Sequence, residues 1–125
     1  MHAVATILIV DDEPEQRAIL AEVLQYHGLQ TRQAANGREC LDHIKRERPD
    51  VVVLDLTMPS MNGIEALREI HALDPQLSVV VLTASTYPAL HQRARTLGAR
   101  EVYTKPVDLD EFARAIVSLV STGTV

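Results

Sequence analysis

Three runs of four residues, at 7–10, 51–54 and 79–82, are wholly apolar and rich in β-branched side chains. Four residues bounded by polar or turn residues are too short for a helix and long enough for a buried strand. Apolarity on both faces of a strand belongs to a parallel sheet covered on both sides. Two mixed stretches, 29–35 and 101–104, carry polar side chains among apolar ones and read as edge strands.

The segments between these runs have helical periodicity. Residues 14–27 carry Ile19, Leu20, Val23 and Leu24 as a stripe, opened by Pro14 and closed by Gly28. Asn36 is placed to cap a helix over 37–48 with Leu41 and Ile44 inward, and a third helix over 62–73 is stopped by Pro75. A fourth, over 88–97, places Leu90, Ala94 and Leu97 on one face and ends at Gly98. Asp108 and Glu111 have capping-box spacing ahead of Leu109, Phe112, Ala113, Ile116, Val117 and Val120, which share the face of a fifth helix. Strand and helix thus alternate five times, in units of about 25 residues, which predicts an α/β fold with a parallel sheet and right-handed crossovers.

The 125 residues suit one domain over 1–125, with a core of about 5–120 and a frayed tail from Ser121. A hydrophobic share of 46% supports a core, and 23% charged residues argue against a membrane protein. Twelve basic against 17 acidic residues give a net charge of −5, so direct nucleic-acid binding is not expected, and Arg93 and Arg95 form only a small basic patch. No apolar run is long enough for a membrane span or a signal core, and a cytoplasmic location is expected. Cys40 is the single cysteine and reads as a small, half-buried apolar residue. The five histidines are never four apart, so no helix offers a histidine pair to zinc.

Reactive residue types gather immediately after the strands. The first strand runs into Asp11, Asp12 and Glu13, the third into Asp55, the fourth into Thr83, and the fifth into Lys105 and Pro106. In a parallel sheet the carboxyl ends of all strands lie on one edge, where open α/β sheets bind ligands. Asp11, Asp12 and Asp55 should therefore converge, and their mutual repulsion favours a cation among them. All-oxygen donors select a hard cation, with Mg²⁺ the natural candidate. Each acid taken singly could equally cap the helix that follows it.

These residues resemble the receiver domains of two-component response regulators, the chemotaxis and sporulation types included. The resemblance covers 7 to about 120 and rests on five ordered signatures: Ile-Val-Asp-Asp-Glu at 9–13, Asp-Leu-Thr-Met-Pro-Ser-Met-Asn-Gly at 55–63, Leu-Thr-Ala at 82–84, Gly-Ala-Arg at 98–100 and Thr-Lys-Pro at 104–106. Each is weak alone, and together at these spacings they are specific. The resemblance implies a flavodoxin-like, doubly wound (βα)5 fold with strand order 2-1-3-4-5. It implies Asp55 as phosphoacceptor, Thr83 as the hydroxyl that moves to the phosphoryl group, and Lys105 as its cationic partner, aimed by a cis Lys105–Pro106 bond. Mg²⁺ would be held by Asp11, Asp12, Asp55 and the backbone carbonyl of Thr57, while Met58, Pro59 and Gly63 would shape the loop after Asp55.

The implied function is a phosphorylation-dependent signalling switch, not an enzyme acting on a separate substrate. It would receive its phosphoryl group from a sensor histidine kinase or a histidine phosphotransfer protein and change affinity for a downstream protein or effector domain. One position departs from the family pattern: three residues before Lys105, where an aromatic is common, stands Val102. Tyr103 is adjacent, and strand alternation should turn it to the opposite face. A differently routed switch is expected, in which Thr83 moves and the surface of helix four, strand five and helix five responds through packing. Val102 also favours a phosphorylation-independent interaction module as the alternative. An aspartate-nucleophile phosphohydrolase would want a second acid two residues after Asp55, where Thr57 stands.

Overall fold

The computed structural model describes residues 4–56 and 62–122. The elements are β1 Thr6–Val10, α1 Pro14–Tyr26, β2 Gln30–Ala34, α2 Gly37–Arg46, β3 Val51–Asp55, α3 Gly63–Leu73, β4 Ser78–Thr83, α4 Pro88–Thr96, β5 Ala99–Thr104 and α5 Leu109–Thr122. The strands form one parallel sheet in the order β2-β1-β3-β4-β5, so the two polar stretches are the edges and the three apolar runs are central.

Alternation along each central strand divides the core into two layers. Leu8, Val10, Val52, Leu54, Val79 and Val81 face α2, α3 and α4, packing on Cys40, Ile44, Leu67, Ile70 and Ala94. Ile7, Ile9, Val51, Val53, Val80 and Leu82 face α1 and α5, packing on Leu20, Leu24, Phe112 and Ile116. Full burial of each such side chain contributes roughly 1.5–3 kcal/mol, so both layers are needed to offset the entropy of ordering the chain. Cys40 lies wholly inside the first layer, deeper than the half-buried position expected of it, because α2 turns Cys40 and Ile44 onto the sheet together.

Local signals set the helix boundaries. Asn36 Oδ1 accepts from Glu39 N at 2.9 Å, and Asp108 Oδ1 accepts from Glu111 N at 3.0 Å, as the capping patterns require. Gly28 and Gly98 end α1 and α4 with φ of +87° and +111°, a region that favours glycine. Gly63 is constrained differently: a Cβ there would run into the backbone of Leu56, so the absence of a side chain lets α3 start against the residue after Asp55.

The β4–β5 register slips by one residue, with Val79 opposite Ala99 and Val80 opposite Glu101. The extra residue, Arg100, lets Ala99 and Val102 face the same helical layer although three positions separate them. Tyr103 consequently points to the other layer, where it meets the Phe112 ring edge-on at 5.2 Å.

Candidate functional site at the carboxyl edge of the sheet

Four strands deliver polar groups to one edge. Beyond their last residues the ladders continue: Asp11 N donates to Ala34 O, Leu56 N to Leu82 O, and Lys105 N to Thr83 O, at 3.2, 3.1 and 2.8 Å. The backbones carrying Asp11, Asp55 and Lys105 are therefore held by neighbouring strands and not by loops alone. The three residues also share a parity with Ile9, Val53 and Tyr103, all of which face α1 and α5. A common face explains why they meet.

Lys105 Nζ donates to Asp55 Oδ2 at 2.9 Å and lies 3.9 Å from Asp11 Oδ2. Asp55 and Asp11 are buried, while Lys105 is partly exposed. Asp11 Oδ1 accepts from Glu13 N at 3.0 Å, which also positions the residue preceding α1. Burial raises the Asp11 pKa above its ordinary value, opposed by the Glu13 hydrogen bond and reinforced by the charge of Asp55; Lys105 lowers it and Asp12 raises it. Beside the pair, Ile19, Leu20, Leu82, Val107 and Leu109 line a cavity of about 450 Å³ that Asp11 and Lys105 also border. This apolar flank limits the hydration of Asp11.

The expected convergence of three carboxylates is met by Asp11 and Asp55. Asp12 follows Asp11 beyond the end of β1 and is half-exposed. Among the described residues, no group of three or more Asp, Glu, His or Cys side chains is already arranged as a metal site. The donor chemistry nevertheless fits a hard divalent ion. Asp11, Asp12 and Asp55 are all oxygen donors, and Asp11 and Asp55 share the single ammonium of Lys105. Thr57, Met58 and Pro59 lie outside the described residues.

Thr83 ends β4 as a buried hydroxyl, its Oγ1 accepting from Ser85 N at 3.1 Å. The Lys105–Pro106 bond is cis. Two contributors carried no recognisable sequence signal. Arg17, from α1, donates through Nη1 to the Asp11 carbonyl at 2.6 Å and through Nε to Gln33 Oε1 at 3.1 Å, joining α1 to the ends of β1 and β2. His91, from α4, hydrogen-bonds the Ser85 carbonyl at 2.7 Å. Both contacts end on backbone or amide groups that periodicity does not mark. No helix among the described residues is long and apolar enough to cross a membrane.

Comparison with known proteins agrees with this architecture. Residues 7–117 match the model of the response regulator receiver domain. Sporulation initiation phosphotransferase F of Bacillus subtilis is 43% identical over 110 residues, covering 88% of this chain and 89% of the relative. Chemotaxis protein CheY of Thermotoga maritima is 35% identical over 111 residues, covering 88% and 92%. Among solved structures, the Vibrio cholerae chemotaxis protein CheY4 superposes with a TM-score of 0.86 at 29% identity, over 93% of this chain and 98% of that one.

Proposed function

The chain belongs to the response regulator receiver family of two-component signalling, and from that membership we propose that it is a phosphorylation-dependent switch whose phosphoacceptor is Asp55. The observation that carries this reading is the placement of Lys105 between the buried carboxylates of Asp55 and Asp11 on the carboxyl edge of the sheet.

The donor is a phosphohistidine on a sensor histidine kinase or histidine phosphotransfer protein. A carboxylate oxygen of Asp55 attacks phosphorus, the P–N bond breaks, and its electron pair returns to the donor imidazole. The product is an acyl phosphate on Asp55. Lys105 keeps the Asp55 carboxylate fixed before transfer and offers its charge to the phosphoryl oxygens afterwards. Thr83 supplies a hydroxyl from the neighbouring strand end. Asp11 and Asp12, with Asp55 and the Thr57 carbonyl, would hold Mg²⁺. When bound, the ion would supply positive charge that stabilises the transfer.

The acyl phosphate favours one arrangement of the loops after β3 and β4 over another, which alters affinity for a downstream protein or effector domain. Chemistry is confined to the chain's own phosphorylation and slow dephosphorylation, and the setting is the cytoplasm. Val102, without a ring, favours the second reading, a phosphorylation-independent interaction module. Incubation with acetyl phosphate or beryllofluoride, with and without Mg²⁺, separates the two. A Mg²⁺-dependent adduct that Asp55→Asn abolishes is expected, and a wild-type chain that forms none would leave the interaction module.

A further inference from the structure

Ser85 is held at three atoms by three different residues. Its N–H donates to Thr83 Oγ1 at 3.1 Å, its Oγ accepts from Tyr87 N at 3.2 Å, and its carbonyl lies 2.7 Å from His91 Nε2. A carbonyl only accepts, so Nε2 must carry the proton in this contact. The buried hydroxyl at the end of β4 is thus linked through one residue to both the N-cap and the second turn of α4. The Thr83 carbonyl is fixed separately by Lys105 N at 2.8 Å, so adjustment at this position falls to its side chain and to the residues after it.

We propose that His91 is a positioning residue for the phosphoacceptor site, which holds Ser85, and through it Thr83, in the resting arrangement and so couples the state of Asp55 to α4. The inference rests on the reading of Asp55 as phosphoacceptor. In the present arrangement Lys105 is paired with Asp55, and Thr83 Oγ1 is engaged by the Ser85 amide. Turning the Thr83 hydroxyl toward a phosphoryl group releases that amide, and Ser85 can follow only by disturbing its contacts with Tyr87 and His91. Val102 packs against the same helical layer without a ring or polar side-chain atom, and cannot serve as a hydrogen-bonded link. Coupling is reciprocal, so loosening the His91 end should favour the phosphorylated arrangement.

The test uses beryllofluoride with Mg²⁺, following the adduct by ¹⁹F resonance and the protein by the Ser85 amide and His91 ring resonances. In the wild type, both protein signals should move in proportion to the ¹⁹F adduct. His91→Ala should lower the Kd for beryllofluoride about three- to tenfold, the worth of one hydrogen bond, and His91→Gln, which retains an N–H donor, should restore it to within about twofold of wild type. A full adduct with the Ser85 and His91 signals unmoved, or an unchanged or raised Kd in folded His91→Ala, would overturn the coupling alone. Absence of any wild-type adduct would overturn the phosphoacceptor reading and the coupling with it.

Discussion

Lys105 Nζ sits 2.9 Å from Asp55 Oδ2, joining the end of β5 to the end of β3 across 50 residues of sequence. The β4 strand lies between them in the sheet, so the pair spans the width of three strands at the carboxyl edge. Asp11, from the far side of β3, completes the group at 3.9 Å from the same ammonium.

Removing the ammonium should cost both stability and chemistry. Lys105→Met leaves Asp55 and Asp11 buried beside one another without their shared cation. Breaking a fully buried pair costs about 3–5 kcal/mol, and the partial exposure of Lys105 reduces the expectation to about 1–2 kcal/mol. Urea denaturation at neutral pH checks the loss, and acetyl phosphate labelling should fall at least about tenfold.

Asp11→Asn should act in the opposite direction on stability. A carboxyl whose folded pKa is raised binds its proton more tightly in the folded than in the unfolded state, so folding loses stability as pH rises from the unfolded value through the folded one. Above that window the ionised group is a burden which asparagine removes, while its oxygen still accepts from Glu13 N. The melting temperature without Mg²⁺ should rise by a few degrees, as about 1 kcal/mol corresponds to roughly 4 °C at this chain length. Added Mg²⁺ should stabilise the wild type and have a smaller effect on the variant.

Gly63→Ala should be costly although Gly63 is helical and alanine favours helices. The added methyl collides with the Leu56 backbone, which cannot rotate away as a side chain could. A loss of about 2–3 kcal/mol is expected in chemical denaturation. A gain in stability would show that α3 can withdraw from Leu56 without cost.

Cys40 should be inert in the folded protein. It is fully buried, and burial pushes its thiol up to about 12 from an ordinary 9.0. Because the thiolate is the reactive form, alkylation near pH 8 should be slower by about a thousandfold on this ground alone, before restricted access is counted. Iodoacetamide labelling with and without denaturant measures the difference.

The order and type of all five strand–helix units were legible because each strand and helix announces itself locally. The apolar runs became β1, β3 and β4, the polar ones the edge strands, and Asn36 and Asp108 capped the helices they precede. The placement of Asp11, Asp55, Thr83 and Lys105 at one edge was legible too, because the residues that end parallel strands all emerge at the carboxyl edge of the sheet.

Tertiary structure decided which of these touch. Asp11, Asp55 and Lys105 meet because register and parity bring them to one face, while Asp12, next in sequence, does not enter the same ion pairs. The bulge at Arg100, the approach of Gly63 to Leu56, and the Arg17 and His91 contacts with carbonyls likewise arise only when strands and helices are assembled. Periodicity records which face a side chain occupies. Backbone partners, one-residue slips and close approaches depend on neighbours dozens of residues away, and only the folded chain fixes those distances.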